Sequence, residues 1–526
     1  MSSSSLPPEL AGRAPQSCRQ CRRLKRKCPR DLPSCALCDR LGKKCQYPAG
    51  RKPYGSPQDE DEESQSQLSQ VMTTPSTASV TSHGTSVAGT HGAEFPSAYF
   101  LDSDLFQPIS HDALGCPSSV PLYVSEVLDE ELGAICECYF KTVDLWFPFV
   151  SRKKLKQDLD SGITAEVALL LVCMKLATEV PGNHHAAAIG SLTYEVARRY
   201  TNELEVTVPT SLRLFQATIL VAVYEIGHGI LPTAYLTVAK AARLGLLRGV
   251  HDRGHTTQLF QTPPTWTHWE EERRAWWATS ILERYMNLGP SGLPMATPEP
   301  VQGELLPALD SDWFRGAIGS SQPLYSKGFS SNSQIGPFAR VCQASHVLGR
   351  VLRHRNSRKE AGVQYDILTE ALQLEATSSA LDAHLSQSST DPATTVDLAI
   401  CIIARLALYH GYACIQPDAV GERLPEETEM QGASIRGLKQ IISDRGPRLA
   451  SLVIRQATES IESLSPLVVQ AMYDVATECQ WFVREGDVAD GADSTLRLAT
   501  DALLLLSQRW KVADKCLHLL GSTGGH

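Results

Sequence analysis

The feature that most constrains the fold is a group of six cysteines within 28 residues near the N-terminus. Their spacing is C-x2-C-x6-C-x6-C-x2-C-x6-C, and they are Cys18, Cys21, Cys28, Cys35, Cys38 and Cys45. A C-x2-C pair can place two thiolates on one metal ion, and a cysteine seven residues further on returns to the same helix face after about two turns. Because a structural zinc ion takes about four ligands, two ions need more ligand positions than six thiolates supply, so two sulfurs must bridge.

The two halves of this cluster are a sequence repeat with an offset of 17 residues, 17–28 against 34–45. The match includes a serine, all three cysteines, an arginine, a leucine and a lysine. We therefore predict a short helix followed by an extended strand in each half. Arg22 and Lys25 of the first half correspond to Asp39 and Gly42 of the second, so only the first half forms a fully basic helix.

The basic residues of the first half lie away from its cysteines. The cysteines share one face of the predicted helix, and the opposite side presents Arg22, Arg23 and Arg26, with Lys25 beside them. One face can bind metal while the other contacts phosphates and base edges in the major groove of double-stranded DNA. Residues 1–54 carry 13 Lys plus Arg against three acids, whereas the rest of the chain has a net charge of −19. Only the N-terminal end therefore favours a polyanion.

With this spacing and this basic run, residues 17–45 resemble the DNA-binding module of the fungal zinc binuclear cluster transcription factors. The resemblance implies two zinc ions as cofactors, bridged by Cys18 and Cys35. It also implies the remaining ligands, which are Cys21 and Cys28 for one ion and Cys38 and Cys45 for the other.

The same resemblance assigns the DNA contacts. It implies that Lys25 reads a CGG-type triplet, while Arg22 and Lys27 help to hold the DNA backbone. Pro33 matches the proline that shapes the family's loop between the halves. Leu24 stands at a position where many family members have a basic residue. We expect this departure to remove a contact with a DNA phosphate and to leave the preference for the triplet unchanged. The predicted DNA-contacting residues are Arg22, Arg23, Lys25, Arg26 and Lys27.

The segments around the zinc module, which we place at residues 16–48, are predicted to be disordered: 1–15 before it and 49–120 after it. The second is rich in Ser, Thr, Gly and Pro and has no Lys or Arg after Lys52. Its part Glu94–Asp112 alternates acids with bulky apolar residues, which suits either an activation segment that folds onto a coactivator or an entry segment that docks on the protein's own core. Apolar heptads are not sustained, so a monomer, or a homodimer through the C-terminal domain, is as reasonable as a zipper pair.

From residue 121 to 520 the pattern predicts one large all-α domain. Apolar residues recur at three- and four-residue spacing in Leu212–Ala222, Ala234–Leu247 and Ala275–Leu288. The fold class is thus a small two-zinc binuclear cluster module, a disordered linker and a large all-α domain.

Several phrases of this domain resemble the fungal-specific regulatory domain that accompanies the zinc cluster. They are YFKTVDLWFPFV, EERRAWWATSILERYMN and LSQRWKVADKCL. In the second phrase we expect Trp276 and Trp277 in the core, and Arg273 and Arg274 in helix-surface pairs with neighbouring acids. The cysteines outside the cluster are expected to be core thiols, and they are Cys116, Cys136, Cys138, Cys173, Cys342, Cys401, Cys414, Cys479 and Cys516.

Catalysis, secretion and membrane insertion are not expected. The sequence has no HExxH, no GxSxG and no phosphate-binding GxxxxGK[ST] motif. Its first ten residues lack the basic and apolar regions of a signal peptide, and its apolar runs are shorter than a membrane span.

The sequence predicts a nuclear, sequence-specific transcription factor, and the resemblance implies that its targets are RNA polymerase II genes. The resemblance further implies a fungal regulator, an activator rather than a repressor, of a metabolic or secondary-metabolite gene set. The alternative is a zinc-stabilised scaffold that binds an acidic protein partner without DNA specificity.

Overall fold

The structure is a computed structural model of the chain. It describes residues 17–19, 21, 27–40, 44–47, 119–129, 131–180, 188–252, 262–289, 292–301, 303–325, 335–358, 364–385, 392–414, 424–485 and 491–523. The chain divides into two compact units, residues 1–87 and 88–526. The segments predicted to be disordered, 1–15 and 49–120, lie outside the described residues except for residues 119 and 120.

The N-terminal unit contains a short helix, α1 (Ala36–Arg40), in the second half of the cysteine repeat. The beginning and end of the cluster are held side by side, because the Arg19 N–H donates to the Gln46 carbonyl at 2.8 Å. The Tyr47 hydroxyl donates to the Asp31 carbonyl at 2.6 Å and holds the loop between the halves. Within that loop the peptide bond before Pro33 is cis.

The second unit is helical, as predicted. Its α-helices are α2 (Leu122–Leu128), α3 (Leu132–Lys141), α4 (Arg152–Asp160), α5 (Ala165–Thr178), α6 (Leu192–Thr207), α7 (Leu212–Gly227), α8 (Leu231–Leu247), α9 (Trp266–Met286), α10 (Asp310–Arg315), α11 (Pro337–Ser357), α12 (Gln364–Leu385), α13 (Pro392–Tyr409), α14 (Pro425–Gln440), α15 (Gly446–Glu459), α16 (Val469–Glu485), α17 (Ala492–Ser507) and α18 (Lys511–Thr523). A π-helical turn, Ile441–Arg445, joins α14 to α15. Short 3-10 turns occur at Val143–Leu145, Ala188–Gly190, Ile461–Ser463 and Pro466–Val468.

Local sequence sets many of these helix starts. A serine or threonine side chain precedes the helix and accepts a backbone N–H of its first turn, which satisfies a donor that the helix itself leaves unpaired. The residues that cap α4, α5, α6, α7 and α9 in this way are Ser151, Thr164, Ser191, Ser211 and Thr265.

The centre of the helical unit is α7, in which every residue from Arg213 to Gly227 is buried. It packs between α5 and α8, and α8 in turn packs on α9. A helix buried on all sides cannot show a one-sided apolar pattern, and this is why the sequence pattern predicted only its part up to Ala222. A second group forms around the long pair α11 and α13, with α15, α16 and α17 beyond it.

Helix α9 corrects one prediction. Trp276 and Trp277 are buried as expected, but the acids and Arg274 of the same phrase are buried too. The Arg274 side chain is fully buried and pairs with Glu270 and Asp310 at 2.9 and 2.8 Å. The surface pairing predicted for Arg274 is therefore wrong, because its partners come from one turn back and from the distant helix α10.

The two acids that open this phrase, Glu271 and Glu272, each contact different elements. Glu271 accepts hydrogen bonds from the Ser151 N–H at 2.9 Å and from Arg213 at 2.8 Å. Glu272 accepts from Arg248 at 2.6 Å, at the end of α8. Buried charges persist only when they are paired in this way, so α9 fixes the positions of α4, α7 and α8 together.

The C-terminal helices close onto the start of the domain. The Arg509 guanidinium donates to carbonyls at the end of α5, including Ala177 at 2.7 Å. The Trp510 indole N–H donates to the Leu464 carbonyl at 2.8 Å, and the ring packs against Gly227 at the end of α7. This closure unites residues that are more than 300 positions apart in the chain.

The predictions for the remaining cysteines are partly confirmed. Cys138 and Cys414 are exposed, so the expectation of a core thiol is wrong there, and Cys136 is half-buried. Cys116 lies outside the described residues. The buried ones, as predicted, are Cys173, Cys342, Cys401, Cys479 and Cys516. Within the described ranges, the helices are too short or too polar to cross a membrane.

Candidate zinc centre and DNA interface

The structure brings all six cysteines of the N-terminal cluster together. They form two groups of four in which the sulfurs lie within 4.8 Å of one another, and Cys18 and Cys35 belong to both. The two groups are Cys18, Cys21, Cys28 and Cys35, and Cys18, Cys35, Cys38 and Cys45. Five of the side chains are buried and Cys45 is half-buried. The cluster therefore forms the core of its own small unit.

The sulfur separations suit tetrahedral zinc. With a Zn–S bond of about 2.3 Å, the edge of a tetrahedron of sulfurs is about 3.8 Å. Cys18 lies 3.9 Å from Cys35 and 3.6 Å from Cys38, and Cys21 lies 3.6 Å from Cys35. Cys21 and Cys38, which belong to different groups, are also only 3.9 Å apart, so the two groups lie directly against each other. Such a set of soft thiolate donors is the one that zinc prefers in structural sites.

Backbone N–H groups point at the sulfurs. The Cys21 N–H donates to the Cys18 sulfur and the Cys35 N–H donates to the Cys45 sulfur, both at 3.3 Å. Burial alone would raise the pKa of the Cys18 thiol, but the Cys21 N–H and neighbouring thiols outweigh it, and the pKa is lowered. The pKa of Cys35 is lowered in the same way despite burial. Burial raises the pKa of Cys38 to about 12. The pKa is thus lowered for the two cysteines shared by both groups, whereas it is raised for Cys21, Cys38 and Cys45.

Most of the predicted DNA-contacting residues, Arg22, Arg23, Lys25 and Arg26, lie outside the described residues. Lys27 is described, and its side chain is exposed. The side chains of Arg19, Arg30 and Arg40 are also exposed on this unit, and they contribute to the excess of basic residues in 1–54.

The second half of the repeat presents a different charge. Asp39 on α1 is exposed and accepts a hydrogen bond from the Ser34 hydroxyl at 2.5 Å. It occupies the position that Arg22 has in the first half, so a carboxylate stands where the first half has a guanidinium. A carboxylate is repelled by phosphate groups, so the exposed part of α1 is less suited to contact a nucleic-acid backbone at this position.

A compact thiolate cluster with a separate helical domain defines a zinc-cluster regulatory protein, and the comparisons with known families agree. Residues 16–54 match the fungal Zn(2)-Cys(6) binuclear cluster domain, and residues 137–389 match the fungal specific transcription factor domain. The chain belongs to the fungal zinc binuclear cluster transcription factors. The cluster binds two zinc ions, as predicted.

Among curated proteins, the chain is similar to the transcription factor BOA15 of Botryotinia fuckeliana (strain B05.10). The identity is 35% over 182 residues, which cover 34% of this chain and 98% of that relative. It is also similar to the depudecin biosynthesis cluster-specific transcription activator DEP6 of Alternaria brassicicola, at 25% identity over 268 residues that cover 42% of this chain and 41% of that relative. No solved structure matches the chain.

These relatives are transcription factors, which are not enzymes, so the prediction of a regulator rather than a catalyst is confirmed. Zinc-cluster factors of this family bind DNA and are generally nuclear proteins.

Proposed function

We propose that the protein is a pathway-specific transcription factor that binds double-stranded DNA in the nucleus and activates a metabolic or secondary-metabolite gene set of a fungus, transcribed by RNA polymerase II. The observation that carries the proposal is the pair of four-sulfur groups sharing Cys18 and Cys35, directly beside the basic run of the first half. The similarity to DEP6, a cluster-specific transcription activator of depudecin biosynthesis, supports this kind of target.

In this proposal Cys18 and Cys35 bridge the two ions. Cys21 and Cys28 complete one tetrahedron, and Cys38 and Cys45 complete the other. The cysteines hold the two ions, and the module folded around them presents the basic run to the major groove. There Lys25 reads a CGG-type triplet, and the other basic residues hold the phosphate backbone; they are Arg22, Arg23, Arg26 and Lys27.

The remaining parts of the proposal concern organisation. The zinc module spans 16–48 and the helical regulatory domain spans 121–520, joined by the tether 49–120. The acidic segment Glu94–Asp112 within the tether contacts a coactivator, and the helical domain holds two copies together as a homodimer. The 17 helical residues of α8 and the 21 of α9 lie within the family match, which supports a regulatory role for this region.

The test is an in vitro selection of random duplexes by the zinc-loaded full-length chain. Enrichment of CGG-type triplets, single or paired at a fixed spacing, is the expected result. The Lys25→Ala chain should lose the triplet, whereas Gly42→Ala, at the equivalent position of the second half, is the matched control and should keep it. If zinc content is confirmed and no sequence is enriched, DNA reading is refuted, and binding to an acidic protein partner becomes the leading explanation of the basic end.

A further inference from the structure

A cavity of about 370 Å³ opens between the C-terminal ends of α11 and α13. Its volume is within the range of about 300 to 1,000 Å³ that is usual for small-molecule sites in proteins. Val351 of α11 and Ala407 and Leu408 of α13 form an apolar side of this cavity. The two helices pack along most of their lengths, so the cavity has a rigid frame.

Two arginines also line the cavity, and both use backbone carbonyls as partners. Arg355 donates to the carbonyls of Leu288 and Gly289, just beyond α9, at 2.7 and 2.9 Å. Arg358 donates one N–H to the Gly411 carbonyl just beyond α13. Across the described ranges neither guanidinium has an ion pair with a carboxylate, and burial lowers the pKa of Arg355 with no acid to offset it.

Helix α11 itself contains no aspartate or glutamate. Two of its four arginines pair with acids on other elements, Arg340 with Asp397 and Arg353 with Glu299. The carboxylate of Glu370 lies beside the cavity. One of its oxygens is 2.7 Å from a ring nitrogen of His354, so this carboxylate is hydrogen-bonded to the histidine. The partial negative charges at the ends of α9 and α13 offset the two guanidinium groups only in part. The electrostatic interaction between an anion in the cavity and these guanidinium groups is therefore favourable.

A flat layer of side chains adjoins the arginines. The Arg358 guanidinium lies 4.1 Å above the centre of the Tyr412 ring. The His354 ring stacks on the same tyrosine with an interplanar angle of 26°, and its second nitrogen is 2.7 Å from the Tyr412 hydroxyl. Parallel planar groups of this kind favour a ligand that is itself planar.

We propose that this cavity binds a small planar organic carboxylate. The carboxylate accepts hydrogen bonds from the N–H groups of Arg358 that the Gly411 carbonyl leaves free, and the apolar body of the ligand lies against Val351, Ala407 and Leu408. A ligand held in this way bridges α11 and α13 within the helical domain. This site is independent of the zinc cluster, so it stands whether or not the chain reads CGG triplets.

The test uses isothermal titration of the full-length chain with naphthalene-2-carboxylate, and with its neutral carboxamide as the matched ligand. We expect the carboxylate to bind at least about tenfold more tightly than the carboxamide. The carboxylate makes a charge-assisted hydrogen bond to arginine, whereas the neutral amide makes a weaker one. Arg358→Ala removes an exposed side chain, with its bond to the Gly411 carbonyl and its contact with the Tyr412 ring, and it should weaken carboxylate binding by a similar factor. Ala407→Phe, which fills the apolar side, should abolish it.

Arg353→Ala is the control, because Arg353 is on the same helix but does not line the cavity and pairs with Glu299 instead. It should leave carboxylate binding unchanged, and circular dichroism should show equal helicity for all variants. Equal affinity for acid and amide, binding unaffected by Ala407→Phe, or no binding of the carboxylate at millimolar concentration would each overturn the proposal.

Discussion

The contact between Gly227 and Trp510 should control how firmly the C-terminal helices close the domain. Gly227 is the last residue of α7, and a Cβ added there would lie within 2.9 Å of three atoms of the Trp510 ring. The indole is fully buried and its N–H is bonded to the Leu464 carbonyl at 2.8 Å. The ring therefore cannot move away without breaking that hydrogen bond, and we expect Gly227→Ala to be destabilising.

The size of the effect follows from three contributions. Overpacking a well-filled core costs about 1 to 3 kcal/mol, and loss of the indole hydrogen bond costs about 1 kcal/mol. The better helix propensity of alanine returns roughly 0.5 to 1 kcal/mol. The free energy of unfolding should thus fall by about 2 kcal/mol. For a domain of roughly 400 residues the unfolding entropy is about 0.8 kcal/mol/K, so the melting temperature should fall by about 2 to 3 °C.

The assay is thermal unfolding of the full-length chain followed by circular dichroism. Gly133→Ala is the matched control, because Gly133 is in helix α3 with nothing within 4 Å of the added methyl group, and it should be neutral or slightly stabilising. In a Trp510→Leu background, Gly227→Ala should lose most of its cost. A melting temperature for Gly227→Ala at or above that of the parent chain, or an equal cost in both backgrounds, would refute the proposed contact.

Three further predictions concern the zinc cluster and a buried carboxyl. Cys18→Ala should lower the zinc content below two ions per chain and unfold the module, because metal binding and folding are coupled; two ions by elemental analysis would contradict the bridging assignment. Lys25→Ala should weaken binding to a CGG-containing duplex by about 1 to 3 kcal/mol at unchanged zinc content, and an equal loss for Gly42→Ala in fluorescence anisotropy would argue against asymmetric halves. Burial raises the pKa of Asp397 to about 7, although Arg340 bonds it at 2.9 Å. The folded state therefore holds a proton that the unfolded state releases near pH 4, so stability should fall as pH rises from about 4 to 7. Asp397→Asn should flatten that slope in melting temperatures measured across this range, and an unchanged slope would count against the shifted carboxyl.

Much of the candidate site could be predicted from sequence because its chemistry is local. The spacing from Cys18 to Cys45 indicated that six thiolates hold two ions through shared sulfurs, and the structure brings the same six cysteines together. The exchange of Arg22 for Asp39 between the halves was visible in the repeat, and the structure adds only the Ser34 bond to the aspartate. The helical character of the second unit also followed from short-range periodicity, which reports which face of a helix is apolar.

The positions of charged groups in the helical unit could not be predicted in this way. The phrase containing Arg274 looks like an exposed, salt-bridged helix, yet Arg274 is fully buried because Asp310, 36 residues later, returns to meet it. Sequence periodicity also stopped short of Gly227, since a helix surrounded on all sides has no polar face to mark its extent.

The zinc module, the charge difference between the two units and the all-helical class can be read from the amino-acid sequence, because each depends on neighbours within a few turns of chain. The pairing of Arg274, the closure of Trp510 onto α7 and the cavity between α11 and α13 become visible in the folded domain. These features depend on contacts between residues far apart in sequence, whose energies are set by burial and by the partner that the fold supplies. Spacing along the chain does not encode such partners.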